Sequence, residues 1–152
     1  MVLELVVTGT PSDLRDGSIS PDDVCLPFLV NGGAFRGRLV RLTTAIGEIL
    51  TRHQDPEPVS ALLAEAVTAA VALAGGLKYT GIFTLQVQSK GPVNALVADV
   101  TSAGDVRAWA KFDPDAVAVE ISRARPGGRA PHLLGLGGHL AFTVDQGQDT
   151  ER

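Results

Sequence analysis

The sequence contains a single cysteine, Cys25, among its 152 residues. One thiol cannot form a disulfide within the chain, and it cannot supply the several thiolates of a structural zinc site. Cys25 lies in the apolar run Val24–Val30, where a small buried hydrophobic residue is the ordinary interpretation. We therefore expect no internal disulfide and no metal site in this chain, and the role of Cys25 stays open.

The chain also lacks an excess of positive charge. Its formal net charge is −4 and its pI is near 5.3, which argues against nucleic acid or an anionic membrane as the principal partner. The first residues carry no basic segment followed by a long apolar run, so no secretory signal is expected and the default location is the cytoplasm. Charged residues make up only 20% of the chain, so either the hydrophobic core is large or some apolar surface stays exposed.

Sequence motifs of catalysis and nucleotide binding are missing. The glycine-rich segment 135–138 is not accompanied by a strand-to-helix transition or by a Gly-Lys-Ser/Thr sequence. His132 and His139 have no carboxylate or thiolate at ligand spacing, and no serine stands in a nucleophile-elbow sequence. The sequence therefore predicts a protein that is not an enzyme, with no catalytic residue, no metal ligand and no bound nucleotide.

Residues 58–76 form the most distinctive stretch that is present. Alanine and leucine give it high helix propensity, two prolines suit its start, and a Gly-Gly pair suits its end. Its apolar residues cover nearly the whole circumference of a helix of about 18 residues, so the helix should pack against protein on most sides. A membrane span is the alternative, and the central Glu65 argues against it.

Strand patterns lie on both sides of this helix. A strand over 22–30, in which Pro27 marks an edge or a bulge, is followed by a glycine turn and a basic strand over 35–42. Thr43 or Thr44 should cap a short helix before the central one. Beyond the central helix, alternating apolar and polar residues with short turns predict an antiparallel meander. Its three strands lie at 83–88, 93–101 and 106–112.

The remaining segments complete one domain. Residues 114–125 fit a helix or a strand, residues 125–131 have the composition of a loop, and residues 140–144 should form a final strand. We interpret residues 1–21 as an N-terminal arm and leave open whether part of it is disordered. Residues 22–152 are expected to form one core domain, cut short at its C-terminal end because the last residues are polar and carry no stop signal.

The third meander strand holds the only tryptophan of the chain. Its even-numbered residues, 106 to 112, are small or apolar and share one face, which directs Arg107, Trp109 and Lys111 to the other. Either a neighbouring loop covers the indole and the cations stack beside it, or the three side chains form a contact surface. These three residues are our candidate binding site.

Several segments also stand in a specific order and spacing over residues 22–152. They are the basic strand 35–42, the alanine-rich helix with its exit 75–81, the strand 85–88 followed by Gly91-Pro92, and residues 96–101, 106–110, 133–135 and 140–147. Together they resemble the N-terminal domain of the 33-kDa redox-regulated chaperonin family, the heat-shock holdases of the bacterial cytoplasm.

The resemblance implies a fold and a function. The fold is α+β, with antiparallel-rich sheets that enclose a buried central helix in β/α/β layers. The function is ATP-independent binding of unfolded or aggregation-prone client proteins under oxidative or heat stress, for which Trp109, rimmed by Arg107 and Lys111, is the candidate client-binding residue. Family members carry a zinc-binding switch with four cysteines in a C-terminal domain and can form dimers. Cys25 matches none of those cysteines, so zinc binding and disulfide switching are not transferred to this chain, and a homodimer stays open.

Two other functions stay open at this point. A small-ligand, anion-binding or enzymatic domain would use a pocket near Arg36, Arg38, Arg41 and the loop 135–139, although basic strands are more often solvated faces. A structural scaffold would bind no client of its own. Suppression of aggregation by this chain would exclude the scaffold, and protection against heat by phosphate or nucleotide would favour the ligand-binding domain.

Overall fold

The computed structural model describes residues 5–7, 23–123 and 132–146, which form seven strands and three helices. In chain order these are β1 (Leu5–Val7), β2 (Asp23–Val30), β3 (Phe35–Leu42), α1 (Thr44–His53), α2 (Glu57–Ala74), β4 (Ile82–Gln88), β5 (Val93–Thr101), β6 (Val106–Phe112), α3 (Pro114–Arg123) and β7 (His139–Asp145). Most of the expected arm and the expected loop 125–131 lie outside the described residues.

The strands form two antiparallel sheets with the longest helix between them. One sheet has the order β1-β2-β3 and the other has the order β6-β5-β4-β7. Helix α2 contacts β3 on one side and β4, β5 and β6 on the other, while α1 lies against α2 and β6. The predicted α+β fold with a central helix is therefore confirmed.

Helix α2 buries its apolar residues on the side of the four-stranded sheet. Leu63, Val67, Ala70 and Ala74 are buried in the main core together with residues of β4, β5 and β6. Glu65 is exposed at the helix centre, on a stripe that the sheets leave uncovered. By length and composition α2 could cross a membrane, but its packing between two sheets accounts for that composition.

The hairpin β2–β3 has an unbroken register from the pair Asp23–Leu42 to the pair Val30–Phe35. Pro27 therefore marks no bulge in this pairing. Because β1 pairs only with residues 28–30, Pro27 lies on the part of β2 that has a single strand partner among the described residues. That position fits the alternative interpretation of an edge, where a missing N–H group costs no ladder hydrogen bond.

The cap of α1 differs from the prediction. Thr43 occupies the N-cap position but makes no side-chain cap bond. Instead, the Asp23 carboxylate accepts hydrogen bonds from the backbone N–H groups of Thr43 (2.7 Å), Thr44 (3.1 Å) and Ala45 (3.1 Å). The pairing of Asp23 with Leu42 brings the carboxylate beside the helix start, so the cap comes from a strand 20 residues earlier.

The meander is confirmed, and the later segments pack around its first turn. The Val93 N–H group donates to the Leu133 carbonyl oxygen (2.9 Å), and a Cβ at Gly91 would overlap the backbone of residues 133–135. Val59, Val93, Val117 and Leu133 form a second core cluster there. The ambiguous segment 114–125 is helical to Arg123 because Val117 packs into this cluster.

Candidate functional site

The three candidate residues on β6 lie on the face of the four-stranded sheet that points away from α2, here called the outer face. Ala108 between them is buried in the core, whereas Arg107, Trp109 and Lys111 are exposed. The predicted orientation is thus confirmed. Trp109 keeps 44% of its surface accessible, which favours a contact surface over an indole covered by a neighbouring loop.

Arg107 is engaged by a buried carboxylate. Its Nε donates to Asp99 Oδ2 (2.6 Å), and Thr84 Oγ1 donates to Asp99 Oδ1 (2.6 Å). Only 7% of Asp99 is exposed, and a carboxylate removed from water needs such partners. Lys111, by contrast, has no ion-pair partner within the described part of the chain. Of the two predicted rim cations, Arg107 is therefore neutralised and Lys111 is not.

The register of the sheet places uncharged side chains beside Trp109. Val97 of β5 lies directly opposite Trp109, Gln86 lies opposite Val97, and Ala141 of β7 lies opposite Gln86. Directly paired residues share a face and lie within contact distance of one another. The outer face therefore carries an uncharged row across all four strands with the indole at one end, here called the Trp109 row.

The sequence missed the neighbours of Trp109, although one signal was available. The short turn between β5 and β6 sets a hairpin register that pairs Val97 with Trp109 and Asp99 with Arg107. The position of Ala141 had no such signal, because a long connection separates β6 from β7 and local rules do not specify where β7 joins the sheet.

Among the described residues, neither of two clefts combines the basic residues of β3 with the loop 135–139, as the pocket considered as an alternative would require. A cleft of about 1120 Å³ lies between the sheets at the end of α2 and contains neither the basic residues of β3 nor the loop 135–139. A second cleft of about 620 Å³, between β3 and α2, contains Arg38 but not that loop. The loop instead packs on the turn after β4, where Gly135 approaches Gly91.

Cys25 lies at the wall of the larger cleft and is partly buried. Burial raises the pKa of its thiol above the ordinary value, and the nearby Arg38 guanidinium lowers it only in part. The thiol is therefore protonated at neutral pH, which is the unreactive form. Among the described residues no group of three or more His, Cys, Asp or Glu could hold a metal ion, so these residues do not fit a zinc site.

Comparison with known proteins gives one consistent match. The family model described as Hsp33 protein matches residues 23–152. A protein of Caulobacter vibrioides named 33 kDa chaperonin is 44% identical over 132 residues, which cover 86% of this chain and 43% of that protein. Proteins of the same name from Pseudomonas fluorescens and Pseudomonas putida are 36% identical over 126 residues and 32% identical over 134 residues.

These alignments cover most of this chain but less than half of each relative. The Pseudomonas alignments cover 82% and 88% of this chain but 39% and 40% of the relatives. The chain thus spans about two fifths of the length of the curated relatives that it matches.

Proposed function

Because this chain belongs to the Hsp33 family, we propose that it is a chaperone domain that binds unfolding polypeptides without ATP and keeps them from aggregating. Its clients are unfolded or aggregation-prone proteins under heat or oxidative stress. The bacterial relatives named 33 kDa chaperonin support this function. A cytoplasmic location is part of the proposal. The domain performs no chemical step and is not an enzyme.

The exposed indole of Trp109, at the end of the Trp109 row, is the observation that carries the proposal. An indole that is 44% exposed at the end of an uncharged row offers apolar contact to a client segment, and the charge of the neighbouring Arg107 is neutralised by Asp99. At about 25 cal/mol per Å², a patch of several hundred Å² contributes a few kcal/mol before association costs are subtracted. Contacts of that strength hold a client reversibly.

Passive contact also explains why no nucleotide is required. Apolar burial is driven by the release of water, so capture of a client needs no covalent or hydrolytic step. We propose that this chain acts without a resident cofactor, since zinc in the family depends on four cysteines that are not in this sequence. Homodimer formation is a further proposal, which molar mass in solution would test.

Replacement of Trp109 tests the proposed surface. Trp109→Ala should reduce suppression of client aggregation several-fold, because it removes the largest exposed apolar group of the outer face. Light scattering of a chemically unfolded client, diluted into buffer with the variant, measures the effect. Leu39→Ala is the matched control, because it truncates an apolar side chain that is 60% exposed on β3, in the other sheet.

The control variant and the contradicting outcome are distinct. Leu39→Ala should suppress client aggregation as well as the unmodified chain does. A Trp109→Ala variant that keeps its far-UV circular dichroism spectrum and still suppresses aggregation fully would remove the outer face from the client-binding surface.

A further inference from the structure

Asp99 is an unusual residue for the middle of a sheet. It lies in β5, between β4 and β6, and only 7% of it is exposed. Among the described residues it is the only buried polar or charged one. Aspartate is disfavoured in strands, and a carboxylate removed from water is costly unless it is paired. A residue that breaks these local rules is expected to have a specific role.

Two hydrogen bonds fix the Asp99 carboxylate within a polar row on the outer face. The register pairs Asp99 with Thr84 of β4 on one side and with Arg107 of β6 on the other. Thr84 Oγ1 donates to Oδ1 and Arg107 Nε donates to Oδ2, each at 2.6 Å. Because the threonine anchors the carboxylate from β4, the carboxylate draws the guanidinium of Arg107 across the sheet toward β5.

Arg107 also lies within reach of Trp109. The two residues are two positions apart on the same face of β6, roughly 7 Å along the strand. A guanidinium can stack on an aromatic ring, and the indole is the ring that cations prefer. In that position the guanidinium would cover the surface that Trp109 offers to a client.

The structure shows the other arrangement of these side chains. Arg107 bonds to Asp99, and Trp109 keeps 44% of its surface accessible. A hydrogen bond between charged groups is stronger than a cation–π contact at an exposed site, so the carboxylate decides where the guanidinium lies. Lys111, on the other side of Trp109, carries a strongly hydrated ammonium group that stacks less readily than a guanidinium.

We propose that Asp99 is a positioning residue that holds Arg107 away from Trp109 and thereby keeps the indole open to clients. Asp99 is buried and acts only through Arg107. This inference rests on the proposed client binding at Trp109 and adds to it the residue that maintains the binding surface.

Quenching of tryptophan fluorescence tests the proposal directly, because Trp109 is the only tryptophan of the chain. The quenching constant of acrylamide, a neutral quencher, measures the exposure of the indole without any client. Asp99→Ala should lower that constant by about twofold, since a cation–π contact makes the covered state more populated than the open one. Asp105→Ala is the matched control and should leave it unchanged, because it removes a carboxylate from the turn of the same hairpin.

Removal of Arg107 in the same background supplies the second readout. The double variant Asp99→Ala/Arg107→Ala has no guanidinium at this position, so its quenching constant should return at least to that of the unmodified chain. Client suppression should follow the same pattern. Asp99→Ala should require about threefold more chain for equal suppression, because only the open fraction binds, and the double variant should recover.

Asp99→Asn keeps the shape of the side chain and provides the test if Asp99→Ala alters the far-UV circular dichroism spectrum. Its quenching constant should fall in the same direction but by less, because an amide oxygen accepts a weaker hydrogen bond from Arg107 than a carboxylate does.

The outcomes separate this inference from the proposed function. Unchanged quenching in folded Asp99→Ala and Asp99→Asn would overturn the positioning role. Reduced quenching that persists in the double variant would assign the cover to another group and would also overturn it. The predicted quenching pattern without a matching change in client suppression would support the positioning role and remove Trp109 from the client-binding surface.

Discussion

At the scale of single residues, Cys25 shows how an environment decides the chemistry of a side chain. Its Sγ lies 4.0 Å from the Val71 carbonyl oxygen, beside the end of α2, where Arg38 also packs against the Gly75-Gly76 pair. Burial raises the pKa of the thiol despite this cation. A redox-sensing cysteine needs the opposite shift, so the position fits a packing role.

The raised pKa of Cys25 predicts a pH dependence of stability. The folded chain holds the thiol proton more tightly than the unfolded chain, so the associated stability is complete below the pKa of the thiol in the unfolded chain and is lost as pH rises through the folded pKa. Urea unfolding from neutral to alkaline pH should show a steeper decline for the unmodified chain than for Cys25→Ala.

The difference between the unmodified chain and Cys25→Ala isolates the contribution of the thiol to the pH dependence of stability. Burial also raises the pKa of Tyr79, but this group is present in both proteins, so its contribution cancels in the difference. Parallel declines of the free energy of unfolding in the two proteins would contradict the assigned environment of Cys25.

The residues of the candidate site were predictable only in part. Alternation along β6 is a local property, and it placed Trp109 outward correctly. The engagement of Arg107 by Asp99 joins two strands, and it depends on a register that alternation within one strand does not contain.

At the scale of elements, α1 depends on a cap from another part of the chain. Asp23→Ala should lower the free energy of unfolding by about 1–2 kcal/mol, because three backbone N–H groups at the helix start lose their acceptor. Thr43→Ala is the matched control and should have little effect, since its side chain makes no cap bond. Urea unfolding of both variants measures the difference, and equal losses would contradict the cap assignment.

The bounds of most helices and strands followed from the sequence because their signals are local. The central helix was expected over 58–76 and spans Glu57–Ala74, and the basic strand was expected and found at 35–42. The segment after β6 was ambiguous because its apolar run fits both periods. The sequence signal for a helix was the pair Asp113-Pro114. The Asp113 carboxylate accepts hydrogen bonds from the N–H groups of Asp115 and Ala116, and proline suits the first turn of a helix.

At the scale of the whole molecule, the arrangement of the layers decides which apolar surface of the four-stranded sheet is buried and which is exposed. Helix α2 covers the inner face of β4, β5 and β6, whereas Trp109 on the outer face is exposed among the described residues. The sequence indicated layers around a helix that is apolar on most sides. It did not indicate where β7 joins the sheet, because the place of β7 depends on a long connection and on the packing of Leu133 and Gly91.

The central claim is that this chain itself holds unfolding polypeptides. Light scattering of a chemically unfolded client, diluted into reducing buffer without ATP, tests it most directly. We predict that the chain suppresses scattering at a near-stoichiometric ratio, because its exposed apolar groups require neither nucleotide nor oxidation. A folded chain that leaves the scattering unchanged would contradict the claim and would identify the domain as a scaffold.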